Sequence, residues 1–166
     1  SGQPAFALTR KRKRKVHLSL AICPTTDNQG WRSSQTAAKR KMRMFPKFLI
    51  CGLEHTGTTL ISDLFRQLPG VDSGFECGVL LRSSPREFAT LQPFAQNMLK
   101  GWGITAEQFA HCCDTNLFEE FYARLLSAST SLDDGTTAIF DKTPRYLSEL
   151  TAVLGRCDCP AVVSYK

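Results

Sequence analysis

The segment Gly52-Leu53-Glu54-His55-Thr56-Gly57-Thr58-Thr59 gathers the groups in this chain best suited to hold an anion. Two glycines bracket four residues, and two threonines follow. In such a loop successive backbone N–H groups point inward. A helix that starts at its end adds the positive end of its dipole, so a phosphate-like group can be held without side-chain charge. The Thr58 and Thr59 hydroxyls are further donors, and His55, with a reference pKa of about 6.5, is either a neutral donor or a cation. Other reactive groups are scattered. Seven cysteines include the neighbours Cys112 and Cys113 and the pair Cys157 and Cys159. None has zinc-ligand spacing, and they read as reduced, buried, small apolar residues rather than a disulfide framework. His111 falls in a helical stretch and reads as a surface or core histidine.

An anion-binding loop of this kind needs a strand before it and a helix after it. Lys47-Phe48-Leu49-Ile50-Cys51 is a short apolar run of the sort buried on both faces of a parallel sheet. After the loop, Leu60, Ile61, Leu64, Phe65 and Leu68 recur at helical spacing and stop at Pro69-Gly70. A second strand, Thr137-Ala138-Ile139-Phe140, runs into Asp141-Lys142-Thr143-Pro144-Arg145-Tyr146-Leu147. There Thr143 suits an N-cap, Pro144 the first helical position, and Gly155 the helix end. Pro160 to Lys166 reads as a third strand. In between, Glu87 to Leu99 reads as helix with Pro93 kinking or breaking it, and Thr105-Ala106-Glu107-Gln108 fits a capping box. Leu117, Phe118, Phe121, Tyr122, Leu125 and Leu126 make a core-facing stripe. The expected fold is α/β: a P-loop-type parallel sheet flanked by helices. A nucleoside triphosphatase, however, needs lysine where Thr58 stands, and Asp141 would be the magnesium-holding aspartate of that reading.

The loop resembles the 5′-phosphosulfate loop of sulfotransferases, Gly-x-Pro-(Lys/Arg)-Ser-Gly-Thr-Thr. Gly52, Gly57, Thr58 and Thr59 match, and Thr56 replaces the serine. Glu54 stands at the usual proline and His55 at the usual cation. Asp141 to Leu147 resembles the Lys-Thr-Pro segment of the broad group that includes the tyrosylprotein and carbohydrate enzymes. Cytosolic sulfotransferases carry their catalytic histidine where Pro144 stands. Leu68 to Glu76 resembles the stretch where tyrosylprotein sulfotransferases place a catalytic glutamate, with Phe75 inserted before it. The resemblance covers residues 45–166. It implies transfer of a sulfuryl group from 3′-phosphoadenosine 5′-phosphosulfate (PAPS) to a hydroxyl of a carbohydrate, a tyrosine or a small molecule, with no metal. It further implies that Gly52, Glu54, His55, Thr56, Gly57, Thr58 and Thr59 hold the 5′-phosphosulfate, with His55 beside the transferring group. Glu76 would take the acceptor proton, and Lys142 would stabilise charge near the bridging oxygen. Lys166 falls where the family places the arginine of its 3′-phosphate site.

The net charge of +6 is uneven. Residues 1–47 carry twelve Lys/Arg and one acid, Asp27, while residues 48–166 carry nine Lys/Arg and fourteen Asp/Glu, so a +11 leader precedes a −5 body. The runs at 10–15 and 39–43 hold much of that charge, which repels itself and buries no core. Residues 1–44 are therefore expected to be a disordered leader, and 45–166 the N-terminal part of an incomplete α/β domain, inactive by itself. The leader also reads as a nuclear-localisation signal, a nucleic-acid-binding arm or a juxtamembrane anchor. No apolar run reaches the roughly 18–20 residues that span a bilayer, so the expected location is cytoplasmic, or nuclear if the basic run acts. Two other readings stay open: a P-loop kinase or NTPase-like nucleotide binder, and a non-catalytic nucleotide-fold module tethered to nucleic acid by its basic tail.

Overall fold

The computed structural model describes residues 17–21 and 46–165. The basic runs at 10–15 and 39–43, Cys23 and Lys166 lie outside the described residues. A five-residue strand inside the leader, β1 (His17–Ala21), is described.

The apolar run before the loop becomes β2 (Leu49–Gly52), buried throughout. β3 (Val71–Asp72) pairs in parallel with β4 (Ala138–Ile139). β5 (Asp141–Lys142) and β6 (Ala161–Tyr165) flank β2, both parallel to it. β1 adds antiparallel to the free edge of β6, which gives the order β1-β6-β2-β5. Only Phe140 separates β4 from β5. Its N–H donates to the Asp72 carbonyl at 3.1 Å, and the Asp141 N–H donates to the Phe48 carbonyl at 3.2 Å, so one stretch of chain serves both neighbours. All three strands expected from the sequence are present. The additions are β1, β3 and β5, and strands as short as β3 and β5 carry no periodicity to read.

Alternation along the strands builds two cores. Ile50, Phe140 and Val162 face α1 (Thr58–Phe65), which contributes Ile61 and Phe65. Leu49, Cys51, Ile139 and Ala161 face the larger cluster. That cluster collects side chains from α2 (Pro85–Phe88), α3 (Phe94–Gly101), α4 (Ala106–Cys113), α5 (Phe118–Ala128) and α6 (Leu150–Arg156). The parallel sheet flanked by helices is thus the observed architecture.

Local outcomes differ in places. Helix α1 ends at Phe65, short of the expected stop, and Leu60, Leu64 and Leu68 remain exposed because the helix meets the sheet along one narrow line through Ile61 and Phe65. Pro93 breaks its run outright, with α2 on one side and α3 on the other. The capping box forms in full, Thr105 and Gln108 each bonding the other's backbone N–H. After Thr143 the chain enters a 3-10 turn, Pro144–Glu149, before α6, which continues through Gly155 to Arg156 instead of stopping there. The six described cysteines are buried and unbridged. Among the described residues no helix is long and apolar enough to cross a membrane.

Candidate active site

β2 ends at Gly52 and α1 begins at Thr58, so the loop sits at the carboxyl edge of the parallel strands, where open α/β sheets receive ligands. Residue 52 must be glycine because a Cβ there would run into the Ser164 carbonyl oxygen of β6. Thr56 seals the same junction. Its hydroxyl donates to the carbonyls of Leu53 (2.7 Å) and Ser164 (3.3 Å), and the Ser164 hydroxyl donates back to the Thr56 carbonyl at 2.9 Å. Thr56 is therefore a buried staple between loop and β6, with its hydroxyl engaged in that junction. His55 (φ 61°) and Gly57 (φ 93°) both take left-handed backbone, and Gly57 delivers the chain into α1. No side chain caps that helix and its first turn carries no acid, so its leading N–H groups and dipole end stay open to an anion.

A cavity of about 800 Å³ opens in front of the helix end. Every loop residue from Gly52 to Thr59 except Thr56 lines it, and Glu76, Pro144, Arg145 and Ser148 form part of the opposite wall. Glu76 and Lys142, the two side chains assigned to proton and charge handling, come together from 66 residues apart, with Lys142 Nζ 3.3 Å from Glu76 Oε1. The lysine side chain is only 7% exposed, and its ammonium also lies 5.0 Å from the centre of the Phe75 ring.

What holds this pair is a buried polar cluster one residue before Lys142. Asp141 Oδ2 accepts from the Tyr122 hydroxyl (2.6 Å) and the Tyr146 hydroxyl (2.7 Å), and Oδ1 accepts from the Thr143 hydroxyl (2.8 Å). Those hydroxyls reach onward: Thr143 Oγ1 accepts from the Gly78 N–H at 3.1 Å, and the Tyr146 hydroxyl accepts from the Leu80 N–H at 3.3 Å. The segment just after Glu76 is thereby bolted to the segment that carries Lys142. Burial pushes the Asp141 carboxyl above its ordinary pKa, and the three hydroxyl donors offset only part of that. Burial likewise pushes the Tyr122 and Tyr146 phenols well above theirs.

The cluster bears on the alternative triphosphatase reading. Asp141 is fully buried with both oxygens engaged by hydroxyls, so it does not present a carboxylate to magnesium at the cavity, as the triphosphatase reading requires. His111 is exposed on α4 and does not line the cavity. Glu54 and His55 are exposed at its mouth. Arg145, Tyr122 and Tyr146 were not singled out from the sequence. A tyrosine inside an otherwise apolar stripe, as at Tyr122, was the available signal, since a buried hydroxyl needs a partner.

A family model described as the sulfotransferase family matches residues 46–156. No curated protein and no solved structure matches the chain.

Proposed function

The chain belongs to the sulfotransferase family, and from that premise we propose that it moves a sulfuryl group from PAPS to an acceptor hydroxyl. The observation that carries this reading is the Glu76–Lys142 pair beside a glycine loop with no lysine. A triphosphatase loop would need that lysine, whereas sulfuryl transfer needs a base and a cation near the loop.

The residues present fit such a donor. The uncapped end of α1, the Gly57 turn and the Thr58 and Thr59 hydroxyls offer donors to a phosphosulfate, and the cavity in front of them is large enough to admit an acceptor as well. When bound, the donor supplies the sulfuryl group and a nucleotide phosphate as leaving group. Glu76 accepts the proton of the attacking hydroxyl. Lys142, freed of part of its pairing as that carboxylate is protonated, is a cation beside the developing negative charge. In this reading His55, at the mouth of the cavity, would donate a hydrogen bond to the transferring group. Acceptor and donor meet directly, so no protein nucleophile is required.

The test is a titration of the full chain with adenosine 3′,5′-bisphosphate and with ATP. Tighter binding of the bisphosphate is expected, and ATP binding as tight or tighter would overturn the reading. Glu76→Gln should lower sulfuryl transfer about 100-fold while leaving the bisphosphate affinity unchanged. Undiminished turnover would remove Glu76 from the role of base.

A further inference from the structure

A second cavity, of about 430 Å³, shares Thr59 with the first and has Lys142 in its wall. A third, of about 360 Å³, continues from it across Phe75 and Gly101 to Asn97 and Lys100. Phe75 belongs to both and is 48% exposed. The backbone that carries the ring is held on both sides. Its backbone N–H donates to the Gly101 carbonyl at 3.0 Å, and its carbonyl accepts from the Trp102 indole N–H at 2.7 Å. The bare Gly101 lets the Phe75 Cβ pack directly on it. A phenyl ring carried on so fixed a backbone yet left half in water forgoes burial that a bound partner would restore.

The walls around that ring are polar. Ser62 Oγ is buried with no hydrogen-bond partner, and Ser73, Ser131 and Asp133 line the same cavity. A half-exposed aromatic ring beside hydroxyls, the Asp133 carboxylate and the Arg66–Asp72 ion pair suits a pyranose, whose C–H face covers the ring while its hydroxyls reach the walls. A tyrosine side chain would instead want an apolar slot. The link to chemistry is Lys142, whose ammonium touches both the Phe75 ring and the Glu76 carboxylate.

The geometry points to Phe75 as the platform of a saccharide acceptor subsite, which holds a neutral sugar with one hydroxyl turned toward Glu76. This assignment rests on the sulfotransfer reading above and names its acceptor class. In the transfer the acceptor O–H bond breaks as its proton passes to Glu76, the new O–S bond forms, and the bond from sulfur to the nucleotide phosphate breaks, its electrons staying on that phosphate.

The experiment titrates the full chain with a neutral trisaccharide of N-acetylglucosamine and with N-acetyltyrosine amide. Phe75→Ala and Phe75→Tyr are compared with the unmodified protein, and adenosine 3′,5′-bisphosphate is titrated in parallel. The trisaccharide should bind more tightly than the tyrosine derivative. Phe75→Ala should weaken it about tenfold and Phe75→Tyr less than about threefold, with bisphosphate affinity unchanged in both. No measurable trisaccharide binding, equal binding by Phe75→Ala, or tighter binding of N-acetyltyrosine amide would overturn the assignment. If Phe75→Ala also loses the bisphosphate, amide shifts in the unmodified protein decide: trisaccharide-induced changes centred on Phe75 and Gly101 support the subsite, and changes elsewhere overturn it. A preference for ATP over the bisphosphate would sink the sulfotransfer reading, while the trisaccharide titration still decides the subsite.

Discussion

The loop from Gly52 to Thr59 and the arm from Asp141 to Tyr146 face each other across one cavity, and they are built from different materials. The loop is backbone: a glycine where β6 leaves no room, two left-handed residues, and a helix end left uncapped. The arm is side chain: a buried carboxylate that organises three hydroxyls, two of which hold the segment next to Glu76. The loop can therefore wait for an anion with few internal commitments of its own. The arm has already satisfied its polar groups and supplies rigidity instead. Binding is expected to reside in the first region, and the positioning of the reacting groups in the second.

The most severe way to break the contrast is Asp141→Ala. Three buried hydroxyls lose their acceptor at once, and an unpaired buried polar group costs about 1–3 kcal/mol, so a total of about 3–5 kcal/mol is expected in urea unfolding. The loss should be global, since Tyr122 lies in α5 and Tyr146 in the turn before α6. A change below about 1 kcal/mol would mean that the cluster does not hold the arm.

Gly52→Ala probes the other region. Its Cβ would meet a backbone carbonyl, which cannot swing aside as a side chain can, so loop and β6 must separate at a cost of about 2 kcal/mol. The Asp141 cluster touches neither partner of that clash, so the Glu76–Lys142 contact should persist. Adenosine 3′,5′-bisphosphate affinity should fall while the arm stays formed. Calorimetric titration checks the first part and amide shifts of residues 76–80 the second. Unchanged affinity would show that the loop is not the binding element.

The same contrast explains what could be read in advance. β2, the loop and α1 were legible because glycine spacing and apolar period are local and state the backbone path directly. Lys142 and Glu76 were legible only as strings similar to those of a known family, and that they meet across 66 residues is a tertiary fact. The cluster around Asp141 was not legible, because the partner at Tyr122 sits inside a stripe whose pattern says only that it is buried. That the Thr56 hydroxyl lies toward β6 was not legible, because composition cannot say on which side of a loop a hydroxyl lies. It bonds the Ser164 carbonyl, a contact that exists only once β6 is in place. The extra strand β1 lies in the short apolar stretch that follows the first basic run, and its pairing with β6 is a tertiary fact that five residues do not announce.

The finest test of the arm is Tyr146→Phe, because it separates the packing of the cluster from its charge. The substitution removes one of two phenol donors to Asp141 Oδ2 and the acceptor of the Leu80 N–H, for about 1 kcal/mol. Its cost should depend on pH. The Asp141 carboxyl titrates above its ordinary value in the folded protein, so its contribution is fully present below the unfolded pKa of about 3.9 and is lost as pH rises through the folded value. The Tyr146 bond is one of the contacts that hold this folded value down, and without it the carboxyl keeps its proton to still higher pH. Variant and parent therefore differ least in acid, where both carboxyls are protonated. The gap widens as pH climbs through the parent's folded pKa, where only the parent ionises. Urea titrations of both proteins across that range would show the widening. A cost that is flat with pH, or greatest in acid, would mean that Tyr146 packs against Asp141 without stabilising its charge.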